Sequence, residues 1–103
     1  MTSDDALIAA LLDGPSLSLD ELCRASRVTP QWVIERVEAG LLARSTVAGE
    51  ESWRFDTIAL QRVRCMVRLE REFDAVPELA ALVADLQAEI ERLRRRLRRA
   101  GLE

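Results

Sequence analysis

Histidine, lysine and tyrosine are absent from this 103-residue chain, and only two Trp and two Phe make up its aromatic content. Without histidine the chain lacks the commonest acid–base catalyst and the commonest metal ligand. Without lysine, Arg supplies all 15 positive charges, a pattern read as base-composition bias in the gene and not as a functional sign. The two cysteines, Cys23 and Cys65, are too far apart for a CxxC pair, and each falls in an apolar helical stretch. They are expected to be buried free thiols, which suits a reducing compartment. No Gly-rich phosphate loop, no thiol beside a base and no metal-ligand spacing occurs, and the neighbouring Glu50 and Glu51 imply no pocket. These absences point away from an enzyme and away from any cofactor or metal. The run "ALIAALL" is far shorter than the ~20 residues needed to cross a bilayer, and no targeting pattern is visible. A cytoplasmic protein with no membrane partner is expected.

What remains is a folding sequence with a divided charge. Hydrophobic residues are 49% and charged residues 32%, the balance of a chain that packs a core. A chain of this length makes one domain, burying roughly 65% of its unfolded surface, with a helix to spare for a partner. Residues 1–56 hold ten acids against five Arg, a net −5, and the remainder holds eight acids against ten Arg, a net +2. A DNA duplex, carrying one charge per ~1.7 Å, meets the first half unfavourably.

The order of elements follows from caps and periodicity. Ser3 is suited to cap a short helix from Asp4 to Leu12 that Gly14 and Pro15 would close, although "ALIAALL" has no clear polar face. "SLDE", Ser18 to Glu21, is a capping box, with Leu19, Leu22, Cys23 and Ser26 at helical spacing behind it. After a turn at "RVT" comes "VTPQWVIERVEAGLL", in which Thr29 caps, Pro30 takes the first position, Gly40 ends the helix, and Leu41 and Leu42 return to the core. Two short helices on a tight turn make a helix-turn-helix. The charges inside the second helix are Glu35, Arg36 and Glu38, a sum of −1 where a DNA reader needs cations.

"STV" and "SWRF" then alternate as short strands around Gly49, the hairpin of a winged helix, and Asp56 is placed to cap a helix from Thr57 to Asp74 that Pro77 ends or offsets. From Val76 onward Val76, Leu79, Val83, Leu86, Ile90, Leu93, Leu97 and Ala100 alternate by three and four, a heptad pattern over more than three repeats. At ~1.5–3 kcal/mol for each large side chain buried, such a stripe favours association. A homodimeric coiled coil through Val76, Leu79, Val83, Leu86, Ile90, Leu93 and Leu97 is expected, the alternative being that the helix folds back on the chain's own core. Acids (Glu78, Asp85, Glu89, Glu91) precede Arg92, Arg94, Arg95, Arg96, Arg98 and Arg99, so antiparallel pairing sets opposite charges together, whereas parallel pairing stacks two Arg clusters.

The fold class is therefore mainly α: an N-terminal extension over 1–16, a winged helix-turn-helix over 17–56, a connecting helix over 57–75 and a C-terminal coiled-coil helix over 76–103.

"LDELCRASRVTPQWVIERVEAGLL", "SWRFD", a long helix and the "RLRRRL" tail resemble the winged helix-turn-helix architecture of MerR-type regulators and, more closely, the chaperone-modulator family CbpM, across about residues 17–100. MerR regulators carry a basic and aromatic series of the form "TLRYYE" where this chain has "WVIERV"; Ile34 stands at the DNA-contacting arginine, and Glu35 and Arg36 at two tyrosines. The resemblance to CbpM implies binding to the J-domain of a CbpA/DnaJ-like co-chaperone, inhibition of its co-chaperone and DNA-binding activities, and association with the nucleoid through that partner. J-domains present a basic helix to their chaperone, and the −5 head suits one. The alternative is a MerR-family DNA-binding transcriptional regulator.

On charge and exposure, the candidate partner-binding residues are Trp32, Glu35, Glu38, Glu50, Glu51 and Trp53. Each has a plainer reading. Trp32 is either an interface anchor or core packing on the preceding turn; Trp53 and Phe55 also suit packing of the wing; the carboxylates also suit a solvated surface. The terminal Arg cluster suits nucleic acid or, more simply, the acids of a partner strand.

Overall fold

Among the described residues, three short strands and four helices follow in the order β1 (Leu17–Ser18), α1 (Leu19–Ser26), α2 (Pro30–Glu38), β2 (Ser45–Thr46), β3 (Trp53–Phe55), α3 (Thr57–Phe73) and α4 (Pro77–Arg99). The computed structural model describes residues 16–46 and 52–101. The expected helix over Asp4–Leu12, the Gly49 turn, Glu50 and Glu51 lie outside the described residues. The fold is mainly α, as the periodicity predicts.

The starts of α1, α2 and α3 and the end of α2 have local causes. Ser18 Oγ accepts from the Glu21 amide while Glu21 Oε1 accepts from the Ser18 amide, so both arms of the capping box are closed. These bonds hold the Glu21 carboxyl below its ordinary value of 4.5. Thr29 Oγ1 accepts from the Trp32 amide at 3.1 Å, with Pro30 next to it. Asp56 Oδ1 accepts from the Ala59 amide at 2.8 Å. Gly40 takes φ +77°, the left-handed conformation that closes the chain after α2.

The sheet holds one strand more than alternation predicts. β3 is central, with β1 and β2 antiparallel on either side; Leu17 lies opposite Phe55, and Ser45 opposite Arg54. A two-residue strand has no periodicity to read. β1 is tied by tertiary bonds, since Arg54 Nε donates to Ser16 Oγ at 3.1 Å and its Nη2 donates to the Ser16 carbonyl.

The main core gathers Leu17, Leu22, Cys23, Val33, Leu42, Phe55, Leu60 and Val63 from β1, α1, α2, β3, the segment after α2 and the first half of α3. A second cluster joins Met66 of α3 to Ala80, Ala81 and Ala84 of α4. Alanines at these positions let the two helices, running antiparallel after the turn at 74–76, approach closely. Arg62 pairs with Asp85, and Cys65 Sγ lies 3.4 Å from Gln87 Oε1. Cys23 is buried as expected and its thiol is pushed up, by burial first and by Asp20 second. Cys65 is only half-buried, because it sits at the seam between the two helices and not beneath it.

α4 thus does fold back on the chain's own core, but with its alanines. The large apolar side chains predicted as the coiled-coil seam stay outside: Leu79, Leu86, Ile90, Leu93 and Leu97 are 43–55% exposed and Val76 is 59% exposed, while Val83 is half-buried. Leu82, not part of the three-and-four alternation, joins them at 54%.

Candidate partner-binding surface

α2 is the helix that reads DNA in a winged helix-turn-helix, and its one cation is withdrawn from solvent. Arg36 is 8% exposed. Its guanidinium carbon stands 3.8 Å from the centroid of the Trp32 ring, a cation–π stack. Its Nη2 and Nε donate to the two oxygens of Glu70 on α3 at 2.6 and 3.3 Å, and its Nη1 donates to the Trp32 carbonyl at 3.0 Å. Trp32 Nε1–H donates to the same Glu70 at 3.3 Å. Trp32 is half-buried and packs on both apolar clusters, so it bolts α2 to α3. Of its two readings, the packing one describes these contacts.

With Arg36 engaged inward, the charges that α2 offers to solvent are Glu35 and Glu38. Glu35 accepts from Gln31 Nε2 at 3.1 Å, and its Oε2 lies 3.9 Å from the Arg36 guanidinium. Glu38 makes no ion pair among the described residues. The outward charge is −2, more acidic than the sequence sum of −1.

Beside Glu38 opens a groove of about 510 Å³ between the start of α1, the outward side of α2 and β3. Leu19, Ile34 and Trp53 give it an apolar lining, Asp20 and Glu38 give it two carboxylates, and Ser18 and Ser52 complete it. Trp53 is half-buried against the main core, edge-on to Phe55 with ring centroids 6.4 Å apart, and Arg44 stands over it at 5.2 Å. Two predicted residues, Glu38 and Trp53, therefore share one groove; Glu35 lies beside it on the same helix, Trp32 is tied to α3 by its indole N–H, and Glu50 and Glu51 fall outside the described residues. Leu19, Asp20 and Ile34 were not among the predicted residues. Asp20 was hidden inside a capping box that explains it locally, whereas Ile34 had a signal: an aliphatic side chain where MerR-type readers keep an arginine.

Among the described residues no group of His, Cys, Asp and Glu is arranged to hold a metal ion, and no helix is long and apolar enough to cross a membrane.

Residues 17–100 match the family described as MerR HTH family regulatory protein. A protein of Pseudomonas entomophila (strain L48) named chaperone modulatory protein CbpM is 36% identical over 78 residues, which is 76% of this chain and 76% of that protein. This chain belongs to the CbpM family. Proteins of the same name from Coxiella burnetii (strain Dugway 5J108-111) and Pseudomonas putida (strain W619) are 32% identical over 82 residues and 33% identical over 78, covering 80% and 76% of this chain and 76% of each relative. No solved structure matches. The CbpM relatives are named for modulating a chaperone and the wider family for regulation; neither description is that of an enzyme.

Proposed function

We propose that this chain is a chaperone modulator that binds the J-domain of a CbpA/DnaJ-like co-chaperone and inhibits that protein's co-chaperone and DNA-binding activities. The observation that carries the reading is the state of α2: the helix keeps the frame of a DNA reader but turns its only cation inward to Glu70 and shows Glu35 and Glu38 to solvent. Such a face is repelled by phosphate and attracts the basic helix of a J-domain, raising the encounter rate and excluding acidic partners. The names of the relatives support the modulation of a chaperone. The stripe of α4 supports a homodimer by coiled coil, since Leu86, Ile90, Leu93 and Leu97 are 43–55% exposed, and the acids that precede the Arg cluster along the helix support antiparallel pairing.

The test is calorimetric titration of the full chain with a J-domain of this class at physiological salt. Binding that Glu35→Arg with Glu38→Arg weakens is the expected result. Absence of binding by the wild-type chain sinks the reading. The family match to MerR regulators keeps DNA binding as the competing reading; it requires retardation of a specific DNA fragment, tightened by those same two substitutions.

A further inference from the structure

The groove beside Glu38 has a chemistry that the charge of the head alone does not specify. Its two carboxylates come from different helices, Asp20 from the first turn of α1 and Glu38 from the last turn of α2, and neither has an ion-pair partner among the described residues. No cation lines it. Leu19, Ile34 and Trp53 line the same groove, and Ile34, half-exposed, belongs to neither apolar cluster. Ile34 is thus held out of the core with its apolar surface in the groove. Apolar lining flanked by unpaired carboxylates fits a side chain that is itself divided, an aliphatic stem ending in a cation, as Lys and Arg are. The volume of about 510 Å³ is that of an ordinary binding cleft.

We infer that this groove seats a basic helix of the J-domain, with one cationic side chain entering between Asp20 and Glu38 and its methylene stem lying on Leu19, Ile34 and Trp53. The inference rests on the reading of function above and adds where the partner docks and by what chemistry. Charge complementarity selects this occupant: an acidic or uncharged apolar helix would leave both carboxylates desolvated without a partner. The same carboxylates exclude a nucleic-acid backbone from the cleft between the reading helix and the wing strand. Affinity therefore depends on salt through these two groups and on apolar contact through Ile34.

The experiment measures the affinity of the full chain for the isolated J-domain of a CbpA/DnaJ-like co-chaperone at two salt concentrations. It compares wild type, Asp20→Asn/Glu38→Gln, Ile34→Ser, and the control Glu72→Gln, an exposed carboxylate of α3 outside the groove. Amide shifts of the labelled chain are followed during the titration. The double variant is expected to bind about tenfold more weakly with a flatter salt dependence, Ile34→Ser to bind more weakly at both salt concentrations, and the control to match wild type. Shifts are expected to centre on residues 18–20, 34–38 and 52–53. Wild-type affinity in both groove variants, or shifts centred on α4, overturns the groove while leaving the modulator reading intact. No binding by the wild-type chain overturns that reading and the groove with it. Unchanged thermal unfolding of the variants separates lost contact from lost fold.

Discussion

The guanidinium of Arg36 and the carboxylate of Glu70 meet through two hydrogen bonds, at 2.6 and 3.3 Å, across the junction of α2 with α3. Trp32 caps the pair from one side by stacking and completes it by donating its indole N–H to Glu70. One arginine thereby fixes the angle at which the would-be reading helix stands on the body and strips that helix of outward positive charge.

Because the pair is mostly out of solvent, with side-chain exposures of 9% and 17%, removing one partner strands the other. Arg36→Met is expected to cost about 3 kcal/mol of stability, and Arg36→Met with Glu70→Met to recover most of that loss. Urea unfolding of the two single variants and the double variant checks this; equal losses in the single and double variants would show that the stacking on Trp32, and not the ion pair, holds the junction.

Acid should weaken the capping box. The Glu21 carboxyl is lowered below 4.5 in the folded chain by its bonds to the Ser18 amide and hydroxyl. A group whose folded value is depressed contributes stability that is full above its unfolded value and disappears as pH falls through the folded one. The melting temperature of wild type should therefore fall toward that of Glu21→Gln as pH drops below about 4.5, and stand above it at neutral pH. A constant gap between the two across that range refutes the assignment.

The two thiols should react at different rates. Cys65 is half-buried at the seam of α3 and α4, while Cys23 is buried in the main core with its thiol pushed up by desolvation and by Asp20. An aromatic disulfide reagent at mildly alkaline pH should modify Cys65 first and reach Cys23 only on unfolding. Mapping the modified peptide by mass spectrometry decides it.

If the α4 stripe seats a second copy, charges placed in it separate the copies without unfolding either. Leu86→Glu with Ile90→Glu lies outside both cores, so helix content and melting of the head should persist while sedimentation reports a monomer. An unchanged mass in sedimentation excludes the stripe as the interface.

Much of the architecture was legible in short stretches of chain. Ser18, Thr29, Asp56 and Gly40 do as caps what their side chains or conformational freedom require, because capping is settled within four residues. The apolar stripe of α4 was equally legible, since a helix repeats its faces whatever surrounds it. Leu82 was missed for the same reason: an extra leucine beside the seam breaks a strict alternation without leaving the exposed face. β1, two residues long, offered no period and exists because Phe55 and Arg54 supply it with a partner.

Alone, then, the amino-acid sequence determined the helices, their ends, the family and the uneven charge, all properties that neighbours along the chain decide. Only the tertiary structure decided which charges count. Arg36 lies one residue from Glu35 but spends its charge on Glu70, 34 positions away, and Asp20 and Glu38, which no spacing connects, share one groove because α1 and α2 pack side by side. Electrostatic character at a surface is set by which groups find partners in space, and that pairing is long-range where helix formation is local.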